Sequence, residues 1–329
     1  MCSFSRMTSC AAVCLMLAVT AAHSQPTGVE PASTTAAAPP SASANIASHS
    51  LEDRIKLATA GDRLEQNNLG FDYAFGRGVP QSYPEARKWL TVAADAGFAP
   101  AQVNLAFLYE KGLGGKPDLD NAMQWYQAAA DRGNLSAECK LGDMYHAGRG
   151  VPRDDAQAAI WYRKAAEQGH PTAENNLGSL YHHGMGVQQD YIEALRWYQK
   201  AAAQGLADAE NNVGVVYEDG LGVERNYQQA AARYTLAAIH GVSRGQYNLA
   251  MMYSSGRGVP LDYISAYLWF ARAASAGDSL AARKLKDLAT VMTPRQKQQA
   301  QARLAETQNA SLAPEQQHPP FSAASGDEK

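Results

Sequence analysis

AENNLGSLYHHGMGVQQDYIEALRWYQKAAAQG, residues 173–205, holds two helical patterns separated by a pair of glycines. Leu177, Leu180 and Tyr181 stand at the i, i+3, i+4 spacing that gathers apolar side chains on one helix face. This predicts a first helix from Ala173 to about His183, with Gly178 small where another helix approaches. Gly184 is suited to end it, because glycine accepts the left-handed backbone of a C-terminal cap without a Cβ penalty. Asp190 stands where a second helix begins, its side-chain oxygen able to accept from free backbone N–H groups. Ala194, Trp197, Tyr198, Ala201 and Ala202 then form a second apolar face before Gly205. The stretch reads as two antiparallel helices.

The unit recurs in both directions. Tyr73, Tyr109, Tyr145, Tyr181, Tyr217 and Tyr253 are spaced by 36 residues without a slip, as are Leu69, Leu105, Leu141, Leu177, Val213 and Leu249. The glycine pairs Gly76/Gly78, Gly112/Gly114, Gly148/Gly150, Gly184/Gly186, Gly220/Gly222 and Gly256/Gly258 keep the same register. A fixed period of this length marks stacked repeats, each touching only its neighbours. The N-cap position is held by Ser82, Asp118, Asp154, Asp190, Asn226 and Asp262. Glu85, Gln157, Glu193 and Gln229 lie three residues later and predict capping boxes, in which the side chain also reaches back to the N-cap N–H. The fold expected is all-α, a solenoid of six 36-residue helix-turn-helix repeats at about 65–100, 101–136, 137–172, 173–208, 209–244 and 245–280. Partial units cap both ends, 51–64 and 281–306. Residues 51–61 match only a second helix, 281–288 only a first, and 295–306 form a polar helix of the kind that keeps a solenoid end soluble. The fifth unit is the least regular, with Arg233 in the tryptophan position and Gly241 to Gly245 at the join.

Outside the array, residues 1–24 carry one charge, Arg6, and an apolar run from Ala11 to Ala22 followed by small residues. This reads as a secretory signal peptide cut after Ala22 or Ser24, and the run is too short for a membrane span of about 20 residues. An exported protein, periplasmic or secreted, is expected. Residues 25–50 and 307–329 are rich in Pro, Ala, Ser, Thr and Gln, with little to bury, and read as a disordered linker and tail. Cys2, Cys10 and Cys14 leave with the signal, so the mature chain keeps only Cys139 and no internal disulfide. The formal charge of −3 becomes −4 when Arg6 is removed, with both signs interspersed. No basic stripe exists to displace counterions from nucleic acid. Gly-Arg-Gly at Gly76, Gly148 and Gly256 lacks the Lys-Ser/Thr ending of a phosphate loop, and no cofactor motif is present.

The pattern quoted above resembles the SEL-like repeats, a branch of the tetratricopeptide-type solenoids, over about three quarters of the chain. The resemblance implies a right-handed superhelix whose concave face is lined by the first helices, and a non-enzymatic adaptor that binds other proteins.

Candidate site residues are those that stacking does not dictate. Asn68, Asn104, Asn176, Asn212 and Asn248 share one position, interrupted by Lys140. Their amides either form a ladder for the backbone of an extended peptide or tie neighbouring repeats together. Phe71 and Phe107 occupy the groove-facing position held further on by Asp143, Ser179, Val215 and Met251. The surface so described is aromatic at first, His-rich around His146 and His182, and acidic at Glu218, a gradient suited to an extended polypeptide. Cys139, Asp143 and His146 fall on one helix face with His182 in the next unit. If convergent, they offer a metal site or a thiol nucleophile with a His base, the chemistry of a metal-binding envelope protein or of an envelope hydrolase acting on glycans or an amide antibiotic. Otherwise they form a polar groove wall over a small buried cysteine.

Overall fold

The computed structural model describes residues 50–312, with side chains through 306, and in that span there are helices and turns but no strand. Residues 1–49 and 313–329, which hold the expected signal peptide and most of the linker and tail, lie outside the described residues. A capping helix α1 (Leu51–Thr59) precedes six helix pairs: α2 (Arg63–Phe75) with α3 (Tyr83–Asp95), α4 (Ala99–Lys111) with α5 (Leu119–Ala130), α6 (Leu135–Ala147) with α7 (Asp155–Glu167), α8 (Pro171–His183) with α9 (Tyr191–Ala203), α10 (Ala207–Asp219) with α11 (Tyr227–Ile239), and α12 (Ser243–Ser255) with α13 (Tyr263–Ser275). α14 (Ser279–Val291) and α15 (Pro294–Leu312) follow; α15 continues past Glu306, where the polar pattern was expected to stop. The chain forms two compact units, one through Ala201 and one from Ala202. None of the described helices is long and apolar enough to cross a membrane.

Small residues set the packing inside each pair. Ala86, Ala122, Ala158, Ala194, Ala230 and Ala266 share one position of the second helix, and each is fully buried. Facing them, Gly142 lies beneath the Tyr162 ring and Gly178 beneath Tyr198, so close that a Cβ at Gly178 would stand 2.8 Å from the ring. The helices meet backbone to ring, and a larger side chain there would cost about 1–3 kcal/mol of overpacking.

The loop between paired helices is fixed by three features. Gly184, with φ of 66°, ends α8 in the left-handed conformation, and its five counterparts do the same. The N-cap oxygens expected from the sequence all accept: Asp190, for example, takes the N–H groups of Ile192 and Glu193, and Ser82 that of Glu85. The other half of the expected capping box is absent. The N-cap N–H of Ser82, Asp118, Asp154, Asp190, Asn226 and Asp262 instead donates to the carbonyl of the repeat tyrosine, Tyr73 through Tyr253, at 2.8–3.0 Å. A backbone carbonyl brought back by the tight glycine loop occupies that donor, so Glu85, Gln157, Glu193 and Gln229 are not needed for it.

First helices start earlier than the apolar pattern suggests. α8 begins at Pro171, whose missing N–H costs nothing in the first turn, and its cap is His170, whose Nδ1 accepts from Ala173 N–H at 3.3 Å. The equivalent caps are chemically diverse: Asp62, Asn134 and Asp278 accept through their side chains, whereas Phe98, Leu206 and Val242 cannot.

At Gly114, Gly150, Gly186 and Gly258, the second glycines of their pairs, the loop meets the preceding repeat. A Cβ on Gly114 would stand 2.7 Å from Tyr83 Cβ, and one on Gly150 2.9 Å from Leu119 Cβ. On Gly186 it would overlap the Asp155 carbonyl, and on Gly258 that of Tyr227. In each case the loop lies on the first turn of the preceding second helix. A Cβ on Gly78, in the first repeat, would meet nothing within 4 Å. Gln66, Gln102 and Gln246 add a second tie by donating to the Ala58, Ala94 and Ala238 carbonyls at 2.8, 3.0 and 3.2 Å.

Candidate functional site

The first-helix positions expected to line a groove have a structural task that the sequence pattern did not disclose. Tyr126, Tyr162, Tyr198 and Tyr234 occupy one buried position of the second helices, and each hydroxyl needs a partner. Tyr126 donates to Glu110 at 2.9 Å and Tyr234 to Glu218 at 2.7 Å. Tyr162 donates to Asp143 at 2.8 Å, and Tyr198 pairs with the Ser179 hydroxyl. In the first and sixth repeats the tyrosine is Leu90 or Phe270, and the two facing positions carry Phe71 and Ala74, or Met251 and Ser254. Much of the change from aromatic to acidic therefore follows the chemistry of the opposing helix. Burial first, then the adjacent carboxylate, pushes the hydroxyls of Tyr126, Tyr162 and Tyr234 well above their ordinary range, which removes them as phenolate nucleophiles.

Glu110 and Glu218 are each held by a third residue. Arg149 reaches Glu110 at 3.0 Å and Arg257 reaches Glu218 at 3.2 Å, both from the Gly-Arg-Gly loop of the following repeat. Burial pushes the Glu110 carboxyl up, but its bonds to Lys111 and Tyr126 and the charges of Lys111 and Arg149 outweigh that and hold it below the usual range. Where the glutamate position is Ala74, His146 or His182, the corresponding loop residue is Leu113, Met185 or Leu221. The arginine of the loop is thus a clamp between repeats.

The asparagine position is also largely committed. Asn104 donates to Asn67 at 2.9 Å, Asn248 to Asn211 at 2.9 Å, and Asn176 to Asp143 at 3.3 Å, in every case on the preceding first helix. Asn212 accepts from Asn211 at 3.5 Å. Asn68 is half-buried in the first repeat, with no preceding first helix among the described residues.

Cys139, Asp143, His146 and His182 do not converge. Among the described residues no three His, Cys, Asp or Glu side chains are placed to hold a metal ion. Cys139 forms no disulfide among the described residues and is buried in a core cluster with Tyr162, Leu177 and Trp197. Asp143 also takes Lys140 at 3.2 Å. His146 Nδ1 meets Asp155 at 2.6 Å, and Arg153 holds the other carboxylate oxygen at 2.7 Å. The His182 ring packs at 4.7 Å from His183 and 5.4 Å edge-on to Tyr191. Repeat spacing put these residues on one helix face, but the second helix of each pair intervenes and supplies their partners.

Among the described residues, one apolar surface on the first repeats is not taken up by the pairings above. Phe71, Ala74, Phe75, Leu90, Asn104, Phe107 and Leu108 line a shallow apolar cleft on α2, α3 and α4. Phe71 and Phe75 pack with ring centroids 4.7 Å apart, Arg77 lies 4.7 Å over the Phe71 ring, and Lys111 lies 5.8 Å over Phe107. Phe75 is 44% exposed. Phe75 and Arg77 were missed at the sequence level, although a signal existed: the position of Phe75 elsewhere holds Lys111, Ala147, His183, Asp219 and Ser255.

Comparison with known proteins agrees with this architecture. The Sel1 repeat matches residues 66–98, 99–134, 135–170, 171–206, 207–242 and 243–278. No match was found among curated proteins. Among solved structures, the chain is similar to a protective antigen present in uropathogenic Escherichia coli strains, displaying an SLR fold, with 36% identity and a TM-score of 0.69. That alignment covers 80% of this chain and 57% of the antigen, so the chain spans little more than half of that protein's length. A Sel1 repeat protein from Oxalobacter formigenes is similar at 34% identity and a TM-score of 0.65, over 72% of this chain and 68% of that one.

Proposed function

Because the chain belongs to the Sel1-repeat family, an all-α solenoid architecture used typically for protein–protein interaction, we propose that it is an exported, non-enzymatic scaffold that binds a polypeptide segment on the face of its first helices. The observation that carries this reading is the division of labour among the side chains. The acids, amides and histidines that would do chemistry are spent within and between repeats, while an apolar, partly exposed cleft at Phe71, Phe75 and Phe107 is not. Aromatic side chains in such clefts are where binding energy concentrates.

Export rests on the charge and apolar pattern of residues 1–24, and the likeness to a protective antigen supports it, since an antigen must be accessible to the host. Residues 25–50 then serve as a spacer between the processed end and the array. Fractionation with mass measurement tests this: the mature chain is expected outside the cytoplasm, beginning after Ala22 or Ser24, and a full-length chain retained in the cytoplasm overturns it. Against a metal-binding or hydrolytic role, calorimetry with zinc and copper is expected to give no heat. Tight uptake lost in His146→Ala would reverse that conclusion.

A further inference from the structure

We propose that the first repeat carries a subsite for a segment of another protein that presents an apolar side chain close to a carboxylate; this rests on the scaffold reading and names the chemistry of its partner. Three residues on α2, Asn68, Phe71 and Phe75, fall at i, i+3 and i+7 on one helix face. Arg77 follows directly after the Gly76 cap and lies over the Phe71 ring.

Arg77 differs from its counterparts in one respect. Arg149 and Arg257 each hold a glutamate of the preceding repeat. Among the described residues the first repeat has no preceding first helix, and Arg77 has no carboxylate partner. The other cations around the cleft have protein partners: Arg54 meets Glu65 and Asp72, Lys111 and Arg149 share Glu110, and Arg87 donates to the Leu113 carbonyl. Among the described residues Arg77 is thus a guanidinium without a carboxylate contact, standing over Phe71 beside an apolar cleft. Its complement is a carboxylate next to an apolar side chain that packs on the exposed aromatic rings, and a guanidinium is the group best shaped to take a carboxylate bidentately. Asn68, whose equivalents Asn104 and Asn248 are spent on the preceding first helix, supplies a donor and an acceptor for the backbone of the same segment.

Phe75 is 44% exposed, and a Cβ added to Gly78, next to Arg77, would meet nothing within 4 Å, so Phe75→Ser and Arg77→Gln are expected to keep the array folded, which circular dichroism checks before binding is compared. Ile192→Ser, at a residue 65% exposed on α9, serves as the surface control. The probe is a displayed library of random dodecapeptides selected on the immobilised full chain. Enriched sequences are expected to carry Asp or Glu within two residues of Phe, Leu, Ile or Trp. A synthetic peptide of that sequence is expected to bind about tenfold more weakly to Arg77→Gln and to Phe75→Ser, to lose affinity with added salt, and to bind Ile192→Ser as it binds the native chain. Replacing its carboxylate by the amide should reproduce the Arg77→Gln loss. Enriched peptides that lack the acid, or bind both variants undiminished, overturn the subsite and leave the scaffold reading standing. No enrichment on the native chain overturns both.

Discussion

Alanine at Gly186 and alanine at Gly78 should have very different effects, although the two glycines have nearly the same backbone. Their φ values are 67° and 69°, so the left-handed conformation costs each alanine about 1–2 kcal/mol. The stiffer unfolded chain offsets about 0.4–1 kcal/mol of that. Gly78→Ala adds nothing further, because its Cβ enters open space. Gly186→Ala drives a methyl into the backbone of Asp155 and Ala156, the first turn of the preceding second helix. Backbone cannot rotate aside as a side chain can, and separating the two repeats forfeits their packing. The added overpacking is about 1–3 kcal/mol, for a total near 3 kcal/mol against about 1 at Gly78. Urea unfolding followed by circular dichroism should therefore separate the variants by about 2 kcal/mol, or roughly 4–8 °C in Tm. Equal losses, within about 0.5 kcal/mol, would refute the account of how the loops join successive repeats.

Further expectations concern the buried polar groups. Tyr234→Phe leaves Glu218 with Arg257 alone and should cost about 1–2 kcal/mol, whereas Tyr234→Phe with Glu218→Ser copies the sixth repeat and should recover part of it; strictly additive losses in urea titrations would argue against the coupling. His170 titrates below its ordinary 6.5, chiefly because it is buried, so the folded chain binds fewer protons and stability should fall as pH drops below about 6.5. His170→Asn, which copies the Asn134 cap on α6, should keep the helix and flatten that slope; an unchanged slope would place the proton elsewhere. The Asp155 carboxyl is pushed up by burial but held lower overall by Arg153 and His146. Its contribution should persist above the ordinary carboxylate value of 3.8 and vanish as pH falls beneath it, and Arg153→Gln should shift that acid limb upward. Cys139→Ala should cost about 1 kcal/mol and leave partner capture intact; lost capture with native helicity would favour thiol chemistry.

The period, the helix-ending glycines and all six second-helix N-caps were legible because each rests on one residue type recurring at one position. The first-helix caps were not, since Phe98, His170 and Leu206 do the same job with and without a side-chain bond. The capping boxes failed because a local pattern cannot show that the Tyr181 carbonyl reaches the Asp190 N–H first. At the candidate site the residues were visible but their meaning was not. Reading Glu110 and Glu218 correctly required knowing that first-helix residues meet second-helix tyrosines 16 positions on, and loop arginines of the next repeat. The clue was present in the sequence, where glutamate and arginine occur together at Glu110/Arg149 and Glu218/Arg257, while Ala74, His146 and His182 are followed by Leu113, Met185 and Leu221 in place of the arginine. That Cys139, Asp143 and His146 share a helix face was legible, but not that Asp155 meets His146 and Tyr162 donates to Asp143.

Photo-crosslinking with purified full-length chain tests the central claim most directly. A reactive side chain is placed at Phe75, Phe107 or His182 on the first helices, or at Ile160 or Ile192 on the second, and captured species from the native envelope are identified by mass spectrometry. The account predicts one protein captured from the first-helix positions, displaced by the selected acidic-apolar peptide at Phe75 and Phe107, and absent from Ile160 and Ile192. Capture that is equal from both sets of helices, or that the peptide fails to displace, would contradict it.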